Sequence, residues 1–191
     1  GFQIKIVTEG GSDLPNIHGM HVYTNSDKSK ELTTKDSDLT SITLKVPGLS
    51  QMALDHERRA DLCSPTSTTA VTRYLSNNNT IDPLRFAKAS FDSGFNIFGN
   101  WVFNVAESST YLGDRWFTWV ERLHGFHDIY SHLKQGTPVI VSVRGPLPGS
   151  AQPYANGHLM VVVGYDSLNN QVMCMDPAFP TDRETHIGYA F

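Results

Sequence analysis

Asp61-Leu62-Cys63-Ser64-Pro65-Thr66-Ser67-Thr68-Thr69-Ala70-Val71-Thr72-Arg73-Tyr74-Leu75 is the stretch on which the reading of this chain turns. Proline is tolerated in the first helical turn, where its missing N–H has no intrahelical partner, and Ala70, Val71, Tyr74 and Leu75 follow Pro65 at helical spacing. A helix is therefore expected to begin at or just after Cys63. A sulfur at that end faces unpaired backbone N–H groups and the positive end of the helix dipole, both of which stabilise negative charge on it. Cys63 is thus a candidate nucleophile.

A nucleophilic thiol needs a base, the base needs an orienting group, and the three can lie far apart in sequence. Of the eight histidines, His158 stands out because it follows Gly157 and opens the apolar run of residues 159–163. A polar break at residues 166–170 turns this strand into a second one, residues 171–176, ended by Pro177. A hairpin centred on Ser167 sets His158 directly opposite Asp176. Facing residues are roughly 4.5 to 5.5 Å apart at Cβ, close enough for an imidazole to donate to a carboxylate. Gln51, a short loop before the cysteine, can offer a side-chain N–H that joins the Cys63 backbone N–H against the oxyanion of a tetrahedral intermediate.

Each of these residues also has a non-catalytic reading: an inert buried thiol, a core histidine, a strand-ending Asp-Pro turn and a surface glutamine. Cys174 sits in an apolar run and reads as core. Trp101, Trp116 and Trp119 read as core too, with Trp101 able to line a cleft.

Around this centre the chain divides into a β-rich lead-in, or the remnant of an N-terminal domain, over residues 1–45 and a main domain over 46–191. Strands are expected at residues 2–7, 20–23 and 42–46, with a polar arm at 25–41. Asp82-Pro83 caps a second helix running to about Phe91, and Asn100 caps a third from Trp101 to Leu112, closed by Gly113. Residues 116–123 fit strand or helix equally. A short helix at 128–135 ends at Gly136, residues 138–143 form a buried-type strand, and the Pro- and Gly-rich loop at 145–156 suits the rim of a cleft. The strand at 157–165 is apolar on both faces and is expected at the centre of the sheet.

The 191 residues carry a formal net charge of −4 with no Lys/Arg block, which argues against nucleic acid as a partner. The longest apolar run is too short to span a bilayer. Two cysteines cannot build a disulfide framework. The H-x-x-H pairs His18/His21 and His124/His127 lack the companion ligands of a zinc site, so no metal is expected. The start at Gly1 rather than methionine suggests a trimmed chain whose signal peptide, if it had one, is gone.

The pattern Ser50-Gln51, Leu62-Cys63-Ser64-Pro65-Thr66-Ser67, Gly157-His158-Leu159, Gly164-Tyr165-Asp166 and Asp176-Pro177 resembles the papain-like cysteine peptidases of the bacteriocin-processing type. More closely it resembles the bacterial branch of the thirty-ninth cysteine-peptidase family that lacks a transporter. Leu62 departs from the tryptophan usual before the cysteine in that branch. The resemblance covers about residue 46 to the C-terminus and implies an α+β, papain-like fold, with a helical lobe packed on an antiparallel sheet. It also implies Cys63 as nucleophile, His158 as base, Asp176 as its orienter and Gln51 as oxyanion donor. It adds a peptide or protein substrate, no cofactor, and an exported location in a bacterium. The same triad serves acyl transfer in transglutaminase-like enzymes, and a non-catalytic peptide-binding module is the reading from a different class.

Overall fold

The computed structural model describes residues 39–191; the strands expected at 2–7 and 20–23 lie outside that range. Strand β1 (Ile42–Thr43) leads into helices α1 (Cys63–Ser76), α2 (Pro83–Ala89), α3 (Trp101–Leu112) and α4 (Phe126–Lys134). Strands β2 (Val139–Val143), β3 (His158–Asp166), β4 (Gln171–Met175) and β5 (His186–Ala190) follow. The fold class is the expected α+β. No helix among the described residues is long and apolar enough to cross a membrane.

The five strands form one antiparallel sheet in which β3 is central. One of its edges carries β1 and β2 in series, the other β4, and β5 closes the far side. Ile42 pairs with Tyr165 and Leu44 N–H donates to the Val163 carbonyl, so the sheet begins ahead of the boundary drawn at residue 46. The second residue of the β1 pair, Thr43, packs against Gly164. A Cβ at Gly164 would collide with the Ile42 carbonyl oxygen, so only glycine admits this close approach.

Two cores share the sheet. On one face α1 packs through Ala70 and Val71 onto Val161, Val163 and Met175. On the other, Leu133 of α4 packs onto Met160, Val162 and Cys174. Cys174 is core, as its apolar surroundings suggested.

The caps explain the helix starts. Asp82 accepts from Arg85 N–H at 2.7 Å, and Asn100 accepts from the Val102 and Phe103 N–H groups. Gly113, at φ +56°, closes α3, and Gly136, at φ +77°, follows α4. Residues 116–123 adopt neither of the two regular forms open to them. Strand β5 was not foreseen.

The hairpin register differs from the expected one. Val161 faces Met175 and Val162 faces Cys174, and the register then slips by one residue between Val162 and Gly164. Asp166 accepts from the Leu168 and Asn169 N–H groups, and Asn170 takes a left-handed conformation, so the turn centres after Ser167. Asp176 therefore continues the ladder opposite Met160. His158 lies two residues farther along on the same face, and the pair meets on the diagonal rather than directly across.

Candidate active site

The cysteine is placed by the way α1 begins. A tight turn at Arg59–Asp61 delivers Leu62, which is fully buried against Ala87 and Phe98. No side chain caps the first turn of α1, so its leading N–H groups remain for whatever rests against the Cys63 sulfur. Residues Ser64 to Thr72 are all buried. A helix this polar is buried all round because its hydroxyls satisfy one another's backbone: Thr68 donates to Ser64 O, Thr69 to Pro65 O and Thr72 to Thr68 O. Ser67 Oγ instead donates to the Leu159 carbonyl at 3.0 Å, tying the cysteine helix to the strand one residue from His158.

His158 is 3% exposed and Asp176 is fully buried. The imidazole Nε2 donates to Asp176 Oδ1 at 2.8 Å, which leaves Nδ1 without a part in that bond. Burial alone would push the imidazole down. The hydrogen bonds to Asp176 and Cys63 and their negative charge outweigh it, and the pKa is raised to about 9. For Asp176 burial pulls upward, yet hydrogen bonds from His158, Tyr154, Tyr189 and the Ala178 N–H hold the carboxyl below its ordinary range. Cys174 is pushed up to about 12, by burial first and by Asp176 second, and is an inert thiol.

Gln51 is buried rather than on the surface. Its backbone N–H donates to Pro177 O, and its side-chain Nε2 donates to Arg59 O at 3.0 Å and Ala60 O at 2.9 Å. Both amide hydrogens thus hold the turn that precedes Cys63, while Oε1 is buried without a partner. Ser64 and Thr66 also bury unpartnered hydroxyls, one and three residues after Cys63.

Tyr154 and Tyr189 were not anticipated. Tyr154 sits in the loop before β3, and Tyr189 belongs to β5, whose alternation of Ile187 and Tyr189 was the one sequence signal for it.

A groove of about 500 Å³ starts at Ser64 and Leu159, the neighbours of Cys63 and His158. It is lined by Thr68, Val71 and Leu75 of α1, by α3 through Asn104 and Ser108, and by residues 137–142 and 116–123. Trp116 and Trp119, expected in the core, line this groove instead, and so does Trp101, which is 44% exposed and was expected to be able to line a cleft. The reason is local: residues 116–123 form no regular element that would carry Trp116 and Trp119 into the interior.

A thiol beside an imidazole that is itself held by a carboxylate is the equipment of covalent acyl chemistry. Comparison with curated proteins returns no match. The model of the Peptidase_C39 like family matches residues 43–191, which takes in every residue described in this site, and the chain belongs to that family.

Proposed function

We propose that this chain hydrolyses peptide or related amide bonds through an acyl-enzyme on Cys63. The observation that carries the proposal is the 2.8 Å bond from His158 to the buried Asp176, with Cys63 near enough to His158 to help raise its pKa. The imidazole holds the proton taken from the thiol as an ion pair, and the sulfur attacks the carbonyl carbon. The resulting oxyanion is met by the backbone N–H of Cys63 at the uncapped start of α1. Gln51 joins it by giving up one of its two carbonyl partners. His158 then protonates the leaving amine, and water activated by the same imidazole releases the acid.

The groove supports a peptide as substrate. Consecutive residues 137–142 line it, both parities of one strand, so it runs along the edge of β2 rather than over a face. That outer edge has no strand partner among the described residues. An extended peptide laid there would place apolar side chains against Val71, Leu75 and Ile140.

Turnover of a quenched fluorescent peptide library and labelling by a thiol-directed affinity probe test the reading. Cys63→Ala abolishes both. Labelling that persists in this variant, or that sits on Cys174, overturns it. Repeating turnover with excess amine tells hydrolysis from acyl transfer: free acid as the main product fits the proposal, and amide as the main product replaces it with a transferase.

A further inference from the structure

Asp176 accepts more hydrogen bonds than an orienting carboxylate requires. Oδ1 takes His158 Nε2 at 2.8 Å and the Ala178 N–H at 3.0 Å. Oδ2 takes two phenols, Tyr154 at 2.6 Å and Tyr189 at 2.5 Å. The two tyrosines reach the same oxygen from separate parts of the chain, the loop before β3 and strand β5. Tyr154 does a second thing: its ring lies 4.1 Å from the His158 ring at an interplanar angle of 11°, a face-to-face stack. It is held there by a left-handed backbone, φ +47°, whose carbonyl accepts from both Gly145 and Gly157 N–H. A non-glycine residue in that region is uncommon and is kept only where its surroundings fix it.

We propose that Tyr154 and Tyr189 are positioning residues of the reaction with separable tasks. Their two hydroxyls occupy Oδ2 and keep Asp176 ionised with Oδ1 alone turned to His158, while the ring of Tyr154 fixes the plane of the imidazole toward Cys63. The inference rests on the reading of Cys63 as nucleophile. The physical reasons are two. A carboxylate with one oxygen saturated by neutral donors keeps its charge but becomes a weaker proton acceptor, so the proton stays on the imidazole. An electron-rich ring face over that imidazole favours its cationic form and blocks its rotation. The titratable groups facing this carboxylate are His158 of β3, Tyr189 of β5, Tyr154, Cys174 of β4 and, through His158, Cys63 of α1.

The test compares Tyr154→Phe, Tyr189→Phe, their double variant and Tyr154→Leu in the full chain. The readouts are the pH profile of Cys63 alkylation by iodoacetamide and the titration of the His158 ring by NMR, assigned from its absence in His158→Gln. Removing donors from a carboxylate moves its protonation to higher pH. The double Phe variant should therefore shift the acid edge of alkylation upward by about one unit, a tenfold loss on that flank, and each single variant by part of it. Tyr154→Leu should lower the plateau rate about tenfold beyond Tyr154→Phe, because only Leu removes the stack.

Folded Phe variants whose acid edge and His158 titration match the parent overturn the hydroxyl task. Equal plateaus for Tyr154→Phe and Tyr154→Leu overturn the ring task. If the double variant does not fold, the two single variants decide on the same readouts. A parent whose Cys63 is not selectively alkylated refutes the nucleophile instead, and the His158 titration then still reports on the two tyrosines.

Discussion

His158 carries an imidazole that a protein interior would ordinarily keep neutral, and its partners reverse that preference. The imidazole stays charged up to about pH 9, so kcat/KM should fall on the basic side with a midpoint near 9, measured as a pH–rate profile. The same shift bears on stability. A group raised from its ordinary value of 6.5 contributes fully below that value and loses the contribution as pH rises through about 9. The urea midpoint should therefore decline between about pH 6.5 and 9, and the decline should vanish in His158→Gln. Asp176→Asn removes the negative partner and should cost at least about 100-fold in kcat/KM with KM little changed. Both residues were legible in the sequence, since a histidine opening an apolar strand and an aspartate ending the next one are conspicuous. Their diagonal meeting was not, because the bulge between Val162 and Gly164 leaves no mark in the alternation of β3. The two tyrosines escaped for a similar reason: only the folded loop and β5 bring them to one carboxylate oxygen.

Among the elements, α1 serves the site through its uncapped start, and its hydroxyls hold it in place. Ser67→Ala breaks the bond to the Leu159 carbonyl and leaves that acceptor without its partner beside His158. A loss of about 1 kcal/mol in chemical denaturation, with a several-fold drop in kcat/KM, is expected. Asn100→Ala offers a control: it removes the cap of α3 and should cost about 1 kcal/mol without altering the alkylation profile of Cys63. The helices were readable where capping chemistry is written in the chain, as at Asp82-Pro83 and at Asn100 with Gly113. Residues 116–123 were not, because their aromatic spacing suits both periods and side-chain bonds settle the outcome. Thr118 donates to the Val105 carbonyl and Trp119 Nε1 to Glu121, which hold an irregular path.

For the whole molecule the sheet is the platform, since β3 presents His158, β4 leads to Asp176, and the outer edge of β2 borders the groove. Ile140→Asp places a charge in the groove wall and should raise KM for peptides with bulky apolar side chains several-fold, with the alkylation rate of Cys63 unchanged. Acid-quenched mass spectrometry during peptide turnover tests the central claim most directly, by asking where the acyl group sits. An acyl adduct on the peptide containing Cys63, absent in Cys63→Ala, is the expected result. Cleavage that proceeds with no adduct, or with the adduct on Cys174, would contradict the account.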